Sequence, residues 1–212
     1  QKVGSIIRSD EARRYVVPSA PGKRSSDDTK VTDMLYSCYG LALQGRDFTE
    51  ELLAIKARYD EIIEGLGLSV KLDDEFKTIS ENFCAKIGRD YAASRGEYLN
   101  GILMADYLGF EFIDSADYIK FDEQGIFDAE LTNRLLSAKL AETDAAVIPG
   151  FYGSTPDGKV KTFSRGGSDV TGSIVAKAIH ADMYENWTDV SGFLIADPRI
   201  IKNPKAIDTI TY

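Results

Sequence analysis

Phe163-Ser164-Arg165-Gly166-Gly167-Ser168-Asp169-Val170-Thr171 is the stretch that decides how this chain is read. Two glycines behind an arginine let a backbone approach an anion closely. An apolar stripe follows, with Val170, Ile174, Val175, Ala178 and Ile179 at helical spacing. A helix is therefore expected to start at Ser168, a good N-cap, with Asp169 favourable in its first turn. The free N–H groups and positive dipole end of such a helix suit a carboxylate or a phosphate. Residues 183–188 then read as a short strand ending in the polar Thr188-Asp189. Strand, loop, helix and strand in this order place polar groups at strand ends, where open α/β sheets bind ligands.

Upstream, the pattern keeps alternating, which favours an α/β fold with a largely parallel sheet. Residues 2–9 read as the tail of a helix, 15–19 as a buried strand and 21–30 as a polar loop. Helices are expected over 31–43, 49–64, 94–108 and 130–140, and strands over 110–113, 118–121 and 145–151. Phe76, Ile79, Phe83, Ile87 and Tyr91 mark a further helix, which pairs with the 49–64 helix as a lobe outside the sheet core. Pro156-Asp157-Gly158 is a tight turn before a strand at 160–163. That context argues against a P-loop at Gly153 to Lys159, as does Val160 where a Ser or Thr would hold Mg²⁺.

The composition narrows the class. With 212 residues, 43% hydrophobic and 28% charged, the chain suits one large α/β domain. A net charge of −9 without basic runs argues against nucleic-acid or anionic-membrane partners. Any anion site must then concentrate a few cations, with Lys23, Arg165 and Arg199 as candidates. Cys38 and Cys84 have no paired spacing and read as buried thiols of a reducing compartment. No apolar run approaches a bilayer span, so a cytoplasmic protein is expected. Trp187 reads as a packing residue and His180 as an exposed helix C-terminus.

Several segments in one order carry a family resemblance. Val16-Val17-Pro18-Ser19-Ala20-Pro21-Gly22-Lys23, Lys30-Val31-Thr32-Asp33-Met34-Leu35, Ser94-Arg95-Gly96-Glu97, the hairpin from Gly150 to Gly158 and the Arg165-Gly166-Gly167-Ser168-Asp169 loop form the set. With Trp187-Thr188-Asp189 and Asp197-Pro198-Arg199, this set resembles the aspartate kinases of the amino acid kinase family. The fold implied is a three-layer α/β sandwich with a largely parallel central sheet, of the carbamate kinase-like kind. The chain 1–212 would be one such catalytic domain, incomplete at both ends and lacking the C-terminal regulatory ACT domains.

The resemblance also assigns roles. Arg165 grips the aspartate α-carboxylate, a task suited to paired guanidinium donors, with Gly166, Gly167 and Ser168 completing the contact. Asp169 organises the reacting groups. Glu97 pairs with the substrate ammonium, Thr32 makes a second contact to it, and Ser19 is a strand-end hydroxyl nearby. Thr188, Asp189 and Arg199 contact the nucleotide. From the residues alone Ser94 to Glu97 reads first as a capping box, in which Glu97 reaches back to the Ser94 amide.

The reaction implied is transfer of the ATP γ-phosphoryl group to the β-carboxylate of L-aspartate, with nucleotide-bound Mg²⁺ and no protein metal site. It is the first step of lysine, threonine and methionine biosynthesis, and the full-length protein is expected to be a dimer. The family's N-terminal Lys-Phe-Gly-Gly motif is not in this sequence, so residues 1–212 alone are expected to be inactive. The alternatives are a related kinase acting on glutamate or N-acetylglutamate, and a non-catalytic aspartate- or nucleotide-binding module.

Overall fold

A computed structural model of the chain describes residues 1–164, 166–188, 195–196 and 200–205. The chain divides into two units, residues 1–182 and 183–212. In the first, α1 (Lys2–Arg8) leads to β1 (Tyr15–Val16), and the chain crosses through α2 (Val31–Leu43), α3 (Thr49–Leu66), α4 (Asp73–Cys84) and α5 (Arg89–Leu108) to β2 (Glu111–Phe112). A single-turn helix α6 (Ser115–Tyr118) and then α7 (Ala129–Ala141) precede β3 (Ala146–Val147). The hairpin β4 (Tyr152–Ser154) and β5 (Val160–Thr162) follows, and α8 (Gly167–Ala178) ends the unit's regular structure.

The central sheet has the order β1-β3-β2 and is parallel throughout. Tyr15 stands opposite Ala146, and Val16 opposite Val147. The ladder outlasts the regular strands, because the Gly150 N–H still donates to the Pro18 carbonyl at 3.0 Å. Alternation along the strands sends successive side chains to opposite faces. Ile113, Ala146 and Ile148 meet Leu136 and Leu140 of α7 and Val175 and Ala178 of α8. On the other face α5 lies so close that a Cβ on Gly101 would stand 3.0 Å from Phe112 and 2.7 Å from Pro149. Helix, sheet and helix make the three layers that the sequence implies.

Helices α2 to α5 enclose their own core around Val31, Leu35, Ile55, Tyr59, Ile79, Phe83 and Leu99, each 1% exposed or less. The α3 and α4 stripes are core, and they pack on α2 and α5 as well as on each other.

Some expectations fail for identifiable reasons. The Phe83, Ile87 and Tyr91 spacing suggests one continuous helix, but α4 stops at Cys84. Lys86 turns the chain with φ 56°, leaving Ile87 41% exposed, and Tyr91 belongs to α5. Helix α5 begins at Arg89, five residues before Ser94, behind Gly88 in a conformation that few side chains tolerate. The strand expected over 118–121 is replaced at its start by α6, because the Asp114 side chain accepts the Ala116 N–H at 3.0 Å and caps it. Lys120 and Phe121 keep only isolated bridges. Cys84 is exposed rather than buried, whereas Cys38 is buried, and burial pushes its thiol up to about 12.

In the second unit, residues 183–188 are irregular, exposed backbone rather than a strand. Trp187 is 62% exposed, against the packing role expected of it, and its indole N–H donates to Glu185 at 2.8 Å. His180 is an exposed residue at the end of α8, as expected.

Candidate active site

The strand ends supply the frame. Beyond Val16 the chain runs through Pro18 to Ser19 and Ala20, and beyond Val147 through Pro149 to Gly150 and Phe151. Both runs leave the sheet at carboxyl ends, where polar groups of parallel sheets converge.

Helix α5 forms one wall. A Cβ at Gly96 would lie 2.9 Å from that of Ala20 and 3.5 Å from Val31, so glycine is what lets the β1–α2 connection press against the helix. The Asn100 amide holds the same connection, donating to the Ser19 carbonyl at 2.6 Å. Thr32 follows Val31 in the first turn of α2.

Glu97 is 7% exposed, and its carboxylate accepts the backbone N–H of Ala20. Its other oxygen, Oε2, has no hydrogen-bond partner among the described residues. Burial pushes the carboxyl up to about 7, and the Ala20 amide only partly offsets this by favouring the charged form. A buried carboxylate with one free oxygen is an expensive feature for a fold to keep. It suits a cation that arrives with a ligand.

The capping-box alternative fails here. Ser94 lies within α5, where its hydroxyl donates to the Tyr91 carbonyl at 2.8 Å. The neighbouring Arg95 is 5% exposed, stands 4.4 Å and 4.2 Å from the ring centres of Tyr91 and Tyr98 on the same helix, and reaches across to Tyr152 of β4 at 5.4 Å.

Helix α8 forms the other wall. Its N-cap is Gly166, left-handed at φ 57° and ψ 28°, rather than the expected Ser168. Ser168 and Asp169 instead lie in the first turn, behind Gly167. Gly150 is what allows this helix end to reach the sheet, since a Cβ there would be 2.7 Å from that of Ser168. A Cβ on Gly167 would collide with Phe151, which itself holds φ 84° and donates its N–H to Thr171 Oγ1 at 3.1 Å. A non-glycine residue at positive φ beside a ligand-facing helix end is the kind of strain that functional sites retain.

Contacts and chain connections run from Ser168 to Gly150, from Gly150 to Pro18, along the chain to Ala20, and from Ala20 to Glu97. Ser19, Glu97 and Ser168 lie on or beside this run, Thr32 follows Val31 in α2, and Gly166, Gly167 and Asp169 flank Ser168 at the start of α8. Thr188 lies in the exposed backbone of the second unit. Arg165, Asp189 and Arg199 fall outside the described residues.

Residues between Gly153 and Lys159 form no phosphate loop. Thr155 and Lys159 close the β4–β5 turn at 2.9 Å, and the Lys159 ammonium is held by Asp157 at 2.7 Å. The sequence alone shows neither the Ala20 amide nor the strain at Phe151. A backbone donor and a strained φ leave no mark in residue types.

The sequence matches the amino acid kinase family over residues 7–212, and the chain belongs to that family. It is 37% identical to aspartokinase 3 of Bacillus subtilis, over all of this chain and 50% of that protein. It is 40% identical to the lysine-sensitive aspartokinase 3 of Escherichia coli, over 98% of this chain and 49% of the relative. The chain thus spans about half the length of the curated relatives it matches. Among solved structures, the aspartate kinase of Clostridium acetobutylicum superposes with a TM-score of 0.91 at 51% identity, over 96% of this chain and 47% of that one. Escherichia coli aspartokinase III in complex with aspartate and ADP superposes at 0.76 with 26% identity, over 97% of this chain and 49% of that one.

Proposed function

We propose that this chain carries the amino-acid-binding half of an aspartate kinase, which moves the γ-phosphoryl group of ATP to the β-carboxylate of L-aspartate. The observation that carries this reading is the free, buried Oε2 of Glu97 at the ends of β1 and β3. It is supported by the aspartokinase relatives and by a structural neighbour crystallised with aspartate and ADP.

In this reading Glu97 takes the substrate ammonium group, with Thr32 and Ser19 beside it. The α8 N-terminus, bare of side chains at Gly166 and Gly167, takes the α-carboxylate together with Ser168 and Arg165. Held at both ends, the amino acid has one free group, the β-carboxylate, which is ionised at neutral pH and needs no general base. Catalysis then consists of positioning and charge neutralisation, and Asp169 organises the reacting groups. ATP is the phosphoryl donor, and Mg²⁺ comes with its phosphates to offset their charge. Thr188, Asp189 and Arg199 are the nucleotide contacts of the same reading, and a dimer is its expected assembly.

Glu97 separates substrates. A free ammonium group satisfies it, whereas N-acetylglutamate and UMP leave the charge unpaired. A phosphoryl-transfer assay with L-aspartate, glutamate, N-acetylglutamate and UMP, on the protein that contains these residues, tests the reading. L-aspartate should be preferred, and an equal rate with an N-acetylated substrate contradicts it.

A further inference from the structure

Residues 21–30 connect β1 to α2 as an exposed loop without regular structure, yet they begin two residues after Ser19 and end two before Thr32. Beneath the loop lies Arg58 of α3, 5% exposed. Its Nη1 donates to the Thr29 carbonyl at 2.6 Å and its Nη2 to the Gly22 carbonyl at 3.0 Å. The same Nη2 pairs with Asp28 at 3.0 Å, and Asp28 also accepts the Arg24 backbone N–H at 2.9 Å. One guanidinium therefore ties both ends of the loop together. The next residue, Tyr59, is fully buried and donates to the Gly96 carbonyl at 2.9 Å, one residue before Glu97. Adjacent side chains of α3 hold the two faces that meet at Glu97, the loop through Arg58 and α5 through Tyr59.

We infer that Arg58 is a positioning residue, which clips the 21–30 loop closed so that Ser19, Ala20 and Thr32 meet Glu97 in the geometry that receives a ligand ammonium group; this role rests on the proposed reading of Glu97. A planar fork suits the task, because it spans carbonyls from opposite ends of a loop, whereas a lysine ammonium offers only a point contact. Arg58 touches no group assigned to the substrate, so its effect must pass through the loop.

The test compares Arg58→Met and Arg58→Lys with the parent in the protein that contains residues 1–212. The first readout is amide exchange followed by NMR. Release of the clip should speed exchange at Ala20 at least roughly tenfold, while amides of β3 stay protected. The second is L-aspartate binding by calorimetry, expected to weaken roughly ten- to a hundredfold in Arg58→Met. ATP affinity should stay within about twofold, since the loop faces the amino-acid site. Arg58→Lys should fall between, and it serves alone if the methionine variant does not fold.

Unchanged exchange at Ala20 overturns the clip. Faster exchange with unaltered aspartate affinity overturns the positioning role, as does a lysine variant equal to the parent in both readouts. Failure of the parent itself to bind L-aspartate sinks the substrate reading instead, and the exchange result still decides the clip.

Discussion

Replacing Glu97 by glutamine should make the fold more stable and the binding site worse. The carboxyl is 7% exposed, keeps one oxygen without a partner among the described residues, and is pushed by burial from 4.5 up to about 7. A folded-state value above the unfolded one means that the native protein binds the extra proton. Below about pH 4.5 both states are protonated and there is no penalty. Between pH 4.5 and about 7 stability falls as pH rises, and above that the loss is constant. Each tenfold of proton affinity is worth about 1.4 kcal/mol, so the full penalty is about 3 kcal/mol on the alkaline side. Glutamine keeps the shape, can still accept the Ala20 N–H, and has no charge to desolvate.

Denaturant unfolding at pH 5 and pH 8 reads the first half of this argument. The two proteins should be close at pH 5, and the variant should gain up to about 3 kcal/mol at pH 8. Calorimetry with L-aspartate reads the second half. The variant should bind roughly ten- to a hundredfold more weakly. The parent should lose about tenfold in apparent affinity for each pH unit below 7 and release about half a proton per ligand near pH 7. Equal unfolding curves at pH 8, or undiminished aspartate binding, would refute the assignment of a strained carboxylate waiting for a cation.

Other substitutions probe the walls of the site. Gly96→Ala puts a Cβ 2.9 Å from that of Ala20 and should cost about 1–3 kcal/mol in thermal or denaturant unfolding, with weaker aspartate binding and little change for ATP. Gly150→Ala pushes against Ser168 and should displace the α8 N-terminus, lowering turnover more than it lowers the melting temperature in a paired kinetic and thermal assay. Arg165→Ala should reduce aspartate affinity roughly ten- to a hundredfold in steady-state kinetics while leaving ATP affinity nearly intact.

How far these features could be read in advance depended on whether their cause is local. The α2 limits, Val31–Leu43, follow from an apolar stripe bounded by polar loops, and the sequence shows both. The β4–β5 hairpin follows from Pro156-Asp157-Gly158, whose turn chemistry acts over four residues. Helix α5 was harder. Its buried residues run almost unbroken from Tyr91 to Leu99, so it has no polar face to mark its start, and the stripe of α4 carries over into it. The glycine at the α8 N-cap was visible as a residue, but its left-handed backbone was not, and Ser168 offered the more familiar cap.

The same distinction bears on Ser94 and Glu97. Their spacing fits a capping box, and a capping box is a property of a helix end. Only the placement of Arg89 at the helix start, decided by packing from α2, α3 and the hairpin, moves Glu97 into the interior. There the side chain has lost its water, and the Ala20 and Glu97 amides and the nearby Arg95 charge offset that loss only in part. A fold that gained from Glu97 only as a cap would stabilise itself by glutamine at this position, since glutamine caps equally well and removes the desolvation cost. On the proposed reading the carboxylate takes a cation from outside the chain, and the pH dependence of aspartate binding is where that cation must show itself.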